Sequence, residues 1–166
     1  MRRKRTKVGF VGVGRMGANM ARRLHDEGYP ITSVYDSDKL AAEALAEELG
    51  TTAADRLQDV TRAATVIVTV VSDDAAMKRI FKTKRDNLLI GAEGRLFINC
   101  ATLSPKTHVS VERLAQTVGA ATLEGCMASS IPQAREGTLY LMVGGPRAAY
   151  QRARGILKAL TKELIH

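Results

Sequence analysis

Gly9–Ala21 reads GFVGVGRMGANMA, and this stretch decides the fold. Lys7 to Val11 is an apolar, β-branched run of strand type. A helical period takes over at about Arg15 and continues to Glu27, where Gly28 stops it. Between them stands Gly12-Val13-Gly14-Arg15-Met16-Gly17. In such a turn the first glycine permits the sharp change of direction, and the second removes a side chain where the backbone must approach a pyrophosphate. The third lets the helix pack close to the sheet. The helix start then offers free N–H groups and the positive end of its dipole to an anion. Six-residue glycine patterns arise by chance; the strand before and the helix after give this one its meaning.

The rest of the chain continues the alternation of short strands and longer helices that builds a parallel sheet. Ile31 to Tyr35 reads as a second strand, and Asp38 caps an Ala/Leu/Glu-rich helix to Leu49, closed by Gly50. Thr51 to Ala53 is read as a short third strand and Arg56 to Arg62 as a short helix. Thr65 to Val71 is a continuous apolar run, as a central strand covered on both faces requires. Helical segments are expected over Asp74 to Phe81 and Lys84 to Leu89. Strands follow at Arg95 to Asn99, Ala120 to Glu124 and Leu139 to Gly144, with a last one at Glu163 to Ile165. Ser104 is expected to cap a helix from Pro105 to Val118, and Pro146 to start another that reaches Leu160. Seven or eight strands make a doubly wound, mostly parallel Rossmann sheet of α/β class with helices on both faces.

Length and composition fit one domain. The 166 residues are 45% hydrophobic and 25% charged, enough to bury a core and ordinary for a globular protein. No apolar run is long enough to span a bilayer, and the start does not read as a signal peptide. Cys100 and Cys126 have neither metal-ligand spacing nor a disulfide framework, which points to a cytoplasmic protein with plain buried thiols. The net charge of +8 raises the question of nucleic acid, but Arg2, Arg3, Lys4, Arg5 and Lys7 crowd the first seven residues. Residues 1–6 are therefore expected to be a solvated basic tail before a domain over residues 7–166. With aromatic residues at 4%, base stacking has little to work with, and no nucleic-acid partner is expected.

Asp36 gives the glycine loop its second feature. It lies 19 residues after Gly17, at the end of the second strand, where a carboxylate accepts the adenine-ribose hydroxyls and repels a 2′-phosphate. NAD is thus favoured over NADP, with NADP admitted because Ser37 and Lys39 stand beside it. A plain turn or capping role for Asp36 is the competing reading.

Four segments carry a wider resemblance: Gly9 to Leu24, Val68 to Met77 (VTVVSDDAAM), Asn99 to Pro105 (NCATLSP) and Glu124 to Gly145 (EGCMASSIPQAREGTLYLMVGG). In order and spacing they resemble the NAD(P)-binding domain of the β-hydroxyacid dehydrogenase family. That family includes 3-hydroxyisobutyrate dehydrogenases and, more distantly, 6-phosphogluconate dehydrogenase and the imine reductases. The resemblance implies cofactor contacts from Val11 through Gly17, from Asp36, from Val70, Val71 and Ser72, and from Thr102 near the nicotinamide. Asp73 and Asp74 read mainly as helix caps. The family's Ser-Gly-Gly, which holds a substrate carboxylate, aligns with Ala128-Ser129-Ser130, and Asn99 and Ala101 replace the family's aspartate and serine.

The resemblance also implies an absence. The family's catalytic lysine lies beyond His166, as does its all-helical second domain, through which full-length members form homo-oligomers. No catalytic residue is therefore expected within the chain; Lys158 and Lys162 read as solvated charges, and His25, His108 and His166 as surface residues. The leading reading is the cofactor half of an oxidoreductase acting on a small hydroxy acid or semialdehyde, inactive by itself. The alternatives are an imine-reductase-like domain and a non-catalytic dehydrogenase-like binding module.

Overall fold

The computed structural model describes residues 6–166, so residues 1–5 of the expected basic tail lie outside the described residues. Seven strands form one sheet: β1 (Val8–Val11), β2 (Ile31–Tyr35), β3 (Val66–Thr69), β4 (Leu96–Asn99), β5 (Ala121–Met127), β6 (Leu139–Gly144) and β7 (Thr161–Ile165). The helices between them are α1 (Arg15–Asp26), α2 (Lys39–Leu49), α3 (Leu57–Ala63), α4 (Asp74–Lys82), α5 (Pro105–Thr117), α6 (Ile131–Glu136) and α7 (Arg147–Leu160). Their spatial order is β2-β1-β3-β4-β5-β6-β7. β1 to β5 pair in parallel, β6 runs antiparallel to β5, and β7 is parallel to β6.

Alternation along the central strands builds two cores. Val66 and Val68 of β3, with Val8 and Phe10 of β1, face Met20 and Leu24 of α1 and Ile156 and Leu157 of α7. Ile67, with Val11 and Phe97, faces Leu57, Met77, Phe81 and Val111 from α3, α4 and α5. Phe81 and Phe97 meet edge to face, their centroids 5.2 Å apart. Because both faces are covered, every residue of β1, β3 and β4 is buried. The chain leaves β1 toward β2 on one side and returns to β3 on the other. That reversal opens a crevice at the carboxyl ends of β1 and β3.

Several local expectations change in the folded chain. The expected strand at Thr51 to Ala53 shrinks to a single bridge between Val34 and Ala53, since the chain turns into α3 directly afterwards. No helix forms at Lys84 to Leu89. Asp86 there accepts the N–H groups of Leu57 and Gln58 (2.9 and 3.1 Å), and Asn87 accepts from Leu89 N (2.8 Å). Side chains that bond the backbone this way compete with helix formation. Ser104 holds the N-cap position of α5 without a capping bond to that helix. Helix α6 is an addition, and its signals were legible: Ser130 at the cap, Gln133 three residues on, and Gly137 in the left-handed conformation after the last turn.

Candidate cofactor site

The glycine loop joins β1 to α1 at the crevice. Gly12 has φ +88°, and a Cβ there would lie 2.1 Å from the Val70 carbonyl oxygen. At Gly17 a Cβ would lie 2.0 Å from the Gly12 carbonyl oxygen. These two glycines are required by the protein's own backbone. Gly14 differs: a Cβ added there meets nothing within 4 Å. Its missing side chain leaves space at the start of α1, where the first turn carries no acidic residue to compete for the N–H groups.

Asp36 closes the loop from the neighbouring strand. Its Oδ2 accepts the Val13 N–H at 2.7 Å, and its Oδ1 accepts the Asp38 N–H at 2.9 Å. One carboxylate therefore ties the glycine loop to the end of β2 and shapes the turn into α2. Lys39 is drawn to Asp55, 3.5 Å away, in an exposed pair.

Beside these groups lies a cavity of about 610 Å³. Of the residues expected from the sequence, Val11, Gly12, Gly14, Asp36, Val70, Val71 and Ser72 line it together. Val13 is buried behind the loop and takes part through its N–H. Arg15 is exposed on α1, Met16 packs against the core, and Gly17 lies under the loop. Thr102 stands exposed on the loop after β4, outside the cavity lining. The lining also includes residues that no motif marked: Tyr35, Leu57, Arg79, Ile80 and Asp86. Burial, followed by the nearby Asp86 and Asp36 carboxylates, raises the Tyr35 hydroxyl above its ordinary pKa.

In the loop after β5, where the resemblance implies a substrate contact, the hydroxyls are engaged within the fold. Ser129 Oγ accepts the Tyr140 N–H at 2.7 Å, and Ser130 Oγ lies 3.0 Å from Gln133 Oε1, which also accepts the Ser130 N–H at 2.7 Å. Ala128 is exposed, its N–H bonded to Tyr140 O. His108, expected at the surface, is instead 8% exposed, because it shares a buried stripe on α5 with Thr107, Val111 and Ala115. Its Nε2 lies 3.4 Å from Glu124 Oε1 without completing a hydrogen bond.

Burial pushes the Cys100 thiol up to about 12; burial and then the Glu124 carboxylate push Cys126 up to about 11. At pH 8 about one Cys126 in a thousand is then a thiolate. A disulfide exchange reagent is expected to modify the native protein slowly at Cys126 and hardly at Cys100, with both reacting at once in denaturant. Fast native labelling of two thiols would contradict that burial.

Comparison with known proteins agrees with this geometry. Residues 7–166 match the family model described as the NAD binding domain of 6-phosphogluconate dehydrogenase. A 3-hydroxyisobutyrate dehydrogenase of Pseudomonas aeruginosa is 30% identical over 162 residues, covering 97% of this chain and 53% of the relative. A Mycobacterium tuberculosis 3-hydroxyisobutyrate dehydrogenase solved with L-serine superposes with a TM-score of 0.89 at 27% identity, over 98% of this chain and 54% of that one. A structure of Psf3 in complex with NADP+ and 2-OPP gives 0.89 at 26%, over 95% and 55%. The chain thus spans about half the length of the relatives it matches. Among the described residues no helix is long and apolar enough to cross a membrane. The glycine loop, the acidic strand end and the matched profile agree, and the chain belongs to the β-hydroxyacid dehydrogenase family through its NAD(P)-binding Rossmann domain.

Proposed function

We propose that the chain holds the dinucleotide with its adenine ribose at Asp36, its pyrophosphate over Gly12–Gly17 at the start of α1, and its nicotinamide half over the ends of β3 and β4. The observation that carries this reading is the open space at Gly14, a position where the fold does not require a glycine. Asp36 favours NAD by accepting ribose hydroxyls and opposing a 2′-phosphate. Arg79, a cation in the cavity lining, is the group through which NADP is admitted.

Bound nicotinamide supplies or accepts the hydride, and the protein contributes binding and orientation. The substrate class is a small hydroxy acid or semialdehyde, as the dehydrogenase relatives suggest. Residues 1–166 alone are expected to bind dinucleotide without completing turnover, because hydride transfer to a carbonyl also needs a proton donor. Engagement of the Ser129 hydroxyl by the Tyr140 N–H and of the Ser130 hydroxyl by the Gln133 side chain favours a second reading, a dehydrogenase-like module without substrate chemistry. Dinucleotide-dependent reduction of a panel of small semialdehydes by residues 1–166 would reject that second reading and, with it, the expectation that these residues do not complete turnover.

Fluorescence titration with NADH and NADPH tests the first reading, which saturable binding of neither would overturn. NADH is expected to bind more tightly. Asp36→Ser is expected to shift the NADH-to-NADPH affinity ratio about tenfold toward NADPH, a change of ~1.4 kcal/mol. An unchanged ratio would place the discrimination on another residue.

A further inference from the structure

We propose that Asp74 is a positioning residue: its carboxylate pins the loop between β4 and α5, which carries Thr102, and so shapes the nicotinamide end of the site. The inference rests on the dinucleotide reading above. Asp73 and Asp74 look alike in the sequence, yet the fold divides them. Asp73 caps α4, its Oδ1 accepting the Ala76 N–H at 2.7 Å. Asp74 reaches across to Ser104, 30 residues on. Its Oδ1 accepts the Ser104 N–H at 3.0 Å and its Oδ2 accepts the Ser104 hydroxyl at 2.8 Å.

Ser104 makes no capping bond to α5; its hydroxyl faces Asp74 and, at 3.2 Å, Thr107 Oγ1. The Asp74 charge stands at the positive end of that helix, where a carboxylate is favoured. A carboxylate bonded through both oxygens fixes direction as well as distance. The loop is held at its other end too. Cys100 N–H donates to Thr69 O at 2.8 Å, and the buried Thr69 hydroxyl donates to Asn99 Oδ1 at 2.8 Å. Between these anchors Ala101 is buried and Thr102 is exposed.

The strand order sets what this loop faces. With the adenine ribose at the end of β2 and the pyrophosphate between β1 and β3, the other half of the dinucleotide is directed across β3 toward β4. Val70 to Ser72 form one side of that path. The loop pinned by Asp74 leaves the end of β4, the next strand in the sheet order.

Two ligands separate positioning from general damage: NADH, and ADP-ribose, which shares its adenine and pyrophosphate but lacks nicotinamide. Asp74→Ala is expected to weaken NADH binding about tenfold and reduce its fluorescence change on binding, with ADP-ribose affinity held within about twofold. Exchange of the pair (Asp74→Ser with Ser104→Asp) restores a carboxylate–hydroxyl contact and is expected to recover NADH binding. Equal loss for both ligands, unchanged NADH binding, or no recovery in the exchanged pair would overturn the proposal. Hydrogen exchange of the ligand-free chain supplies a readout independent of the cofactor. Asp74→Ala should speed exchange at Ser104, whose N–H donates to Asp74, and at Thr107 and His108, whose N–H groups donate to Ser104 O, and unchanged rates there would also overturn it. If the unmodified chain binds neither ligand, the dinucleotide reading fails, and hydrogen exchange still decides the pinning.

Discussion

Gly14→Val is expected to remove dinucleotide binding while leaving the fold in place. The added side chain projects into space that no protein atom occupies within 4 Å of its Cβ, so the native packing accepts it. Gly14 is the N-cap of α1 and makes no side-chain capping bond, so none is lost. Valine is a poor N-cap, and the expected fall in thermal midpoint is no more than about 4 °C, equivalent to ~1 kcal/mol for a domain of this size. The pyrophosphate, by contrast, must approach the loop backbone where the new methyl groups stand. A loss of affinity on the order of 100-fold, or ~2.8 kcal/mol, is expected by NADH titration. Unchanged affinity would make the loop a structural turn only.

Gly17→Ala should do the opposite. Alanine normally stabilises a helix relative to glycine by about 1 kcal/mol, so sequence propensity alone predicts a gain. The folded chain predicts a loss, because the new Cβ would lie 2.0 Å from the Gly12 carbonyl oxygen and 3.3 Å from Val70 Cβ. Neither contact is the yielding tip of a long side chain, so relief requires α1 to move away from the loop. A destabilisation of roughly 3 kcal/mol is expected, lowering the midpoint by about 6–12 °C. Thermal unfolding followed by circular dichroism measures it, and a raised midpoint would show that α1 is not held against the loop. Together the two substitutions separate the glycine that serves a ligand from one that serves the fold.

Most of the fold was legible because its signals are short-range. The bounds of β2 and β6 follow from runs of β-branched and apolar residues, and α2 from Asp38 at one end and Gly50 at the other. The failures were local as well. Lys84 to Leu89 carries a helical pattern, but Asp86 and Asn87 spend their side chains on backbone groups, and no period in the sequence reveals that. Ser104 shows the same limit. Its place before Pro105 signals a cap, while its hydroxyl bonds a carboxylate 30 residues away.

By itself the sequence determined the Rossmann architecture, the glycine loop between β1 and α1 and the acidic residue beside it, since each depends on neighbours within about one helix or strand. Tertiary structure decided the rest. It distinguished Gly14, open to a ligand, from Gly12 and Gly17, closed against backbone. It brought Leu57, Arg79 and Asp86 to one cavity with Asp36. It also gave the Ser129 hydroxyl to β6 and Asp74 to Ser104. Those outcomes depend on how helices pack across a twisted sheet, and side chains far apart in the chain meet only once that packing is complete.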